Sequence, residues 1–204
     1  MEIYAMIATI IVALITAVIG PMLVSWGKVK WNRKREKDTI PEAIEFTSAI
    51  DHQLEIMRQE MECDRIWIAQ FHNGGYFYPT GKSIQKFSIF FERVSEDAKS
   101  IMGVFQGIPV SFFPRALKEL NNEGRLFIES YDEGNNYDLD NLAREYGTKS
   151  LYMKSLYDLD DRFVGILALA YNTPYIFNEE DWNFVNHKAG TIGTLLDNYL
   201  KKKK

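Results

Sequence analysis

The chain has 204 residues, room for one folded domain and an appended segment but hardly for two domains. Its formal net charge of −4 is mild and gives no global reason to expect the concentrated positive surface typical of nucleic-acid binders, so no nucleic-acid partner is expected. A single cysteine, Cys63, cannot close an internal disulfide and implies no oxidising compartment.

Residues 3–26 (IYAMIATIIVALITAVIGPMLVSW) carry no charged side chain. As a helix such a run covers ~36 Å, enough for a hydrocarbon core of ~30 Å with some tilt. A cleaved signal peptide needs basic residues ahead of a short apolar core, whereas the first basic residue here is Lys28, behind a long one. The segment is therefore expected to be one retained transmembrane helix. Only Glu2 precedes it, while Lys28, Lys30, Arg33, Lys34, Arg35 and Lys37 follow. Basic flanks stay on the cytoplasmic side, which puts the N-terminus outside and the soluble part inside. Residues 27–38 then form a basic juxtamembrane linker against the lipid bilayer, residues 39–200 the folded domain, and residues 201–204 a basic tail.

Thr39-Ile40-Pro41-Glu42 has the spacing of a helix start, with a capping box and a proline in the first turn. Along this helix Thr47, Ile50, Leu54, Met57 and Met61 form a largely apolar seam of heptad period. Strands are predicted over 65–71 (RIWIAQF) and 86–94 (KFSIFFERV), the first ending at His72-Asn73-Gly74-Gly75. A helix over 111–121, a strand over 125–130 and a short helix over 138–146 follow. Two strands over 150–157 and 162–171 meet at an Asp-rich turn (Asp158, Asp160 and Asp161) expected to be solvated. The second of them, RFVGILALAY, is nearly all apolar and reads as a central strand. The last helix opens at Asn178, an N-cap followed by Glu179, Glu180 and Asp181, and repeats Trp182, Val185, Ala189, Ile192, Leu196 and Tyr199 as a second seam.

This order resembles the GAF domain, over about residues 41–200. The resemblance is carried by DRIWIAQFHNGG from Asp64, the hairpin SLYMKSLYDLDDRFVGILALAY from Ser150, and FNEEDWNFVNHKAGTIGTLL from Phe177, where Phe177 and Asp181 match an F-x-x-x-D entry into the closing helix. It implies an α+β fold, a GAF-like antiparallel sheet flanked by helices and preceded here by one transmembrane helix. It also implies terminal helices that pair copies into a homo-oligomer, and an opposite face able to enclose a small molecule. Both seams are then candidate dimer surfaces, or each packs on the sheet.

Known chemistries of such domains find little support. Covalent tetrapyrrole binding needs a cysteine in the ligand region, and Cys63 lies ahead of the first strand. Thiol-exchange reductases need several cysteines. His52, His72 and His187 are scattered, and no metal-binding spacing is present. No nucleophile, base and orienting group assemble in the sequence, so no catalytic residue is assigned and no cofactor is named.

A small-molecule site is expected in the middle of the chain, with Phe90, Phe105, Phe112, Phe113, Tyr131 and Tyr152 as aromatic walls and Arg115 and Arg125 as anion partners. Aromatics in a compact domain also serve as plain core. His72 and Asn73 either contact a ligand at the pocket mouth or simply tie down a glycine turn. The expected function is a membrane-anchored, non-catalytic GAF-like sensor or protein-interaction module. The alternative is a viral-type membrane or lysis-associated structural protein whose soluble domain regulates its anchor.

Overall fold

The structure, a computed structural model, describes residues 17, 21, 22, 25, 39–77, 79–131 and 138–200. The chain divides into two units, Met1–Ile44 and Glu45–Lys204, and the sheet with its two covering layers belongs to the second. The expected span over 3–26 lies outside the described residues apart from Ala17, Pro21, Met22 and Ser25, and so do all six flanking basic residues and the lysine tail. Among the described residues no helix is long and apolar enough to cross a membrane.

Helix α1 (Thr39–Glu60) leads through a tight turn into β1 (Arg65–Tyr76), β2 (Ser83–Val94) and the two-residue β3 (Ile108–Pro109). Helix α2 (Pro114–Glu123), β4 (Arg125–Ile128), helix α3 (Asp140–Glu145), β5 (Ser150–Tyr157), β6 (Phe163–Tyr171) and helix α4 (Glu179–Leu200) complete the order. The strands form one six-stranded sheet, β3-β2-β1-β6-β5-β4, antiparallel throughout. In β6 every residue from Gly165 to Tyr171 is buried, as its apolar run requires of a strand covered on both faces. At α4 the Asn178 side chain accepts the N–H groups of Glu180 and Asp181, the cap read from the sequence.

Strand alternation sends Ile66, Ile68, Tyr152, Leu156, Leu167 and Leu169 to one face and Trp67, Ala69, Leu151, Met153, Ile166 and Ala168 to the other. The first face carries α1 and α4. Ile50, Leu54 and Met57 of α1, and Val185, Ile192 and Leu196 of α4, are 0% exposed against it. Most of both apolar seams is therefore buried against the sheet, the second of the two alternatives open to them. Burying each such side chain contributes about 1.5–3 kcal/mol, and the sheet supplies a covering surface within the same chain. Gly193 lets α4 approach closely, because a Cβ there would collide with the Tyr157 carbonyl.

The His72-Asn73-Gly74-Gly75 run does not end β1. Asn73 still pairs with Gln85, the register shifts between Asn73 and Tyr76, and Tyr76 pairs with Ser83. Gly75, at φ +93°, accommodates this irregularity, and the turn itself lies further on, closed by Phe77 N–H to the Lys82 carbonyl. The glycines serve a bulge rather than the predicted turn.

Candidate functional site

On the face opposite α1 and α4 the sheet is covered by the loop after β2, by α2 and by α3. Helix α2 is set by its ends: Pro114 occupies the first turn, and Gly124, at φ +70°, takes the left-handed cap conformation. This turns Ala116 and Leu120 onto the sheet, where both are buried. Together these elements leave an apolar cavity of about 70 Å³, walled by Trp67, Phe105, Phe113, Leu142, Ala143 and Met153. Sites for drug-sized ligands span roughly 300–1,000 Å³, so this one admits only a small molecule.

Arg65 stands at the polar end of the cavity and is 1% exposed. Its Nε donates to the Lys99 carbonyl at 2.9 Å, and an Nη donates to Thr148 Oγ1 at 3.3 Å. Glu92 Oε1 lies 3.8 Å from its Nε, with the two side chains 3% and 2% exposed. The Glu92 carboxylate in turn accepts the Ile101 and Met102 N–H groups and the Ser100 hydroxyl. One ion pair thus ties two cover segments, 99–102 and 146–148, to the sheet. Burial pulls the Arg65 guanidinium below its usual range, and Glu92 opposes that shift. With its donors engaged by Lys99, Thr148 and Glu92, Arg65 closes the cavity rather than offering itself to an anion.

On the α1/α4 face a wider groove of about 510 Å³ runs between Gln70, His72, Phe90, Phe163, Asp158, Arg162 and Asp197. His72 Nε2 lies 2.9 Å from Ser88 Oγ, a bond whose direction depends on the tautomer. Asp158 is 7% exposed, which corrects its assignment to a solvated turn. Its carboxylate accepts the Asp160 and Arg162 N–H groups and the Arg162 guanidinium. Desolvation alone would raise its pKa, but these donors outweigh it and hold the carboxyl below its ordinary value. The residue shapes the hairpin instead of facing a ligand.

Of the sequence-predicted walls, Phe105, Phe113 and Tyr131 meet at the cavity. His72 and Phe90 lie in the groove on the opposite face. Phe112 is 61% exposed, while Arg115 and Asn73 are exposed at the start of α2 and on β1. Tyr152 is wholly buried on the helix side, packed on Phe177 and Trp182. Arg125 lies over the Trp182 ring at 4.5 Å, on the helix side of the sheet with Tyr152. Phe90, Phe112 and Tyr152 therefore bound no common pocket. A bulge between Ile68 and Ala69 of β1, opposite Phe91 and Ile89, displaces Phe90, and β5 alternation turns Tyr152 the other way. Arg65, Trp67, Leu142, Ala143, Thr148 and Met153 were missed. Their one visible signal was a charged residue at the head of an apolar strand, matched by Glu92 in the next.

Cys63 is buried in the helix-side core, where desolvation raises its thiol pKa to about 12. Among the described residues no group of three or more His, Cys, Asp or Glu could hold a metal ion.

No protein-family model matches the chain, and no curated protein matches it. Similar solved structures include the blue-light-absorbing form of the PixJ GAF domain of Thermosynechococcus elongatus, at 15% identity and a TM-score of 0.60 over 78% of this chain and 89% of that one. A phycoerythrobilin-bound GAF domain from a cyanobacterial phytochrome gives 15%, 0.59, 78% and 89% in the same order, and a far-red cyanobacteriochrome photoreceptor 10%, 0.60, 85% and 100%. At these identities the likeness shows the fold, that of a GAF domain.

Proposed function

We propose that this chain is a non-catalytic sensor or interaction module of GAF fold, tethered to a membrane by residues 3–26 with its domain on the cytoplasmic side. A small, neutral, apolar molecule occupies the cavity beneath α2 and α3. The observation that carries this reading is the cavity itself: apolar, aromatic-walled, and bounded at its polar end by an engaged ion pair. A linear tetrapyrrole of the kind named for one similar domain does not suit it. The volume of about 70 Å³ is too small, and Cys63 lies on the other side of the sheet with its thiol held protonated. The tether rests on the charge-free run and its basic flank. A ligand in the cavity touches both cover segments at once, and it acts on partners by changing how they sit on the sheet.

Thermal unfolding with benzene or a short-chain alcohol tests this. A ligand that binds only the folded state at a hundred times its Kd stabilises by about 2.7 kcal/mol, so the melting temperature should rise. Ala143→Leu fills the cavity from α3 and should abolish the rise while leaving the circular dichroism spectrum unchanged. Equal responses from wild type and Ala143→Leu would remove the cavity from the account.

A further inference from the structure

The β1–β2 hairpin ends in the most exposed aromatic pair of the described residues. Tyr76 is 75% exposed and Phe77 54%, on a tip closed by Phe77 N–H to the Lys82 carbonyl and Gly81 N–H to the Phe77 carbonyl. From Asn73 to Lys86 this hairpin holds two lysines, Lys82 and Lys86, and no acidic residue.

Its placement follows from register. Gln70 pairs with Gly165, which sets Phe163, the first residue of β6, level with His72, and β1 then runs on to Tyr76. Four more residues at ~3.3 Å each carry the tip ~13 Å past the start of β6. The acidic β5–β6 turn stays behind it. That turn meets the last turns of α4, where the Leu159 N–H faces Asp197. There the Tyr199 ring stacks on Phe46 at 4.0 Å, so the second unit begins and α4 ends at this same end. The chain preceding Glu45 carries the basic stretch from Lys28 to Lys37, and four lysines follow α4.

We propose that this end of the domain docks on an anionic bilayer surface, with Tyr76 and Phe77 at headgroup depth and Lys82, beside them at the tip, against lipid phosphates. The inference rests on the tether proposed above. Amphipathic aromatics settle at the membrane–water interface, and clustered lysines are drawn to anionic leaflets. Chain continuity on both sides, into the charge-free run with its basic flank and into the lysine tail, selects lipid as the occupant.

The test uses the full chain with Thr80→Cys, at the tip, carrying an environment-sensitive dye; Cys63 is buried and takes no label. The protein is reconstituted into phosphatidylcholine vesicles with and without phosphatidylserine and recovered by flotation. Docking predicts a blue-shifted emission, quenched by nitroxide lipid, in the vesicles containing phosphatidylserine. The shift shrinks in phosphatidylcholine alone and disappears when Tyr76→Ser and Phe77→Ser are added. A chain that floats while its dye reports water in both vesicles overturns the docking and leaves the tether standing. A chain that fails to float overturns both. A shift that persists in detergent and grows with protein concentration assigns the tip to contacts between copies and overturns the lipid assignment.

Discussion

Leu54→Glu, or Ile192→Glu, is expected to unfold the domain outright. Both side chains are 0% exposed between the terminal helices and the sheet. A carboxylate there has no donor to meet it, and burying an unpaired charge costs several kcal/mol even after relaxation. Domains of this size are stable by only about 5–15 kcal/mol, so one such change consumes much of that margin. Asn186→Glu, on the exposed side of α4, should shift stability by no more than about 0.5 kcal/mol. Thermal or urea unfolding followed by circular dichroism separates the cases. A folded, monomeric Leu54→Glu protein would mean that the seams serve an interface between copies and not the core.

Arg65→Met should be the most damaging change on the other face, at about 3–5 kcal/mol, because it leaves Glu92 buried without its counter-charge. It also frees the Lys99 carbonyl and the Thr148 hydroxyl from their shared donor. The penalty belongs to the stranded charge, so removing that charge as well restores part of the loss. Arg65→Met with Glu92→Gln should accordingly be more stable than Arg65→Met alone, with the glutamine oxygen still accepting the Ile101 and Met102 N–H groups. Urea unfolding of the single and double variants reads the difference. Additive losses would show that the pair contributes nothing as a pair.

What the sequence made legible was what repeats locally. The β5–β6 hairpin, the buried run of β6 and the Asn178 cap are each written in a few adjacent residues, and the structure has all three. Facing was harder. In SLYMKSLY both faces of β5 are apolar, so alternation could not say that Leu151 and Met153 look to the cavity while Tyr152 looks to the helices. The bulge that displaces Phe90 has no local signature, since it adds one residue on β2 opposite Ile68 and Ala69 of β1. The cavity joins Trp67 of β1, Phe105 of a loop, Ala143 of α3 and Met153 of β5, positions that only the sheet order brings together. The seams illustrate the reverse: their heptad spacing was real, but a twisted sheet satisfies the same periodicity as a second helix does.

A cavity that admits a small apolar ligand is tested most directly by xenon, added under pressure while methyl resonances are followed by NMR. The prediction is saturable shifts at Ile101, Leu142 and Met153, which line it, none at Leu54 or Ile192 across the sheet, and none anywhere in Ala143→Leu. Unmoved cavity methyls, or equal shifts on both faces of the sheet, would contradict it.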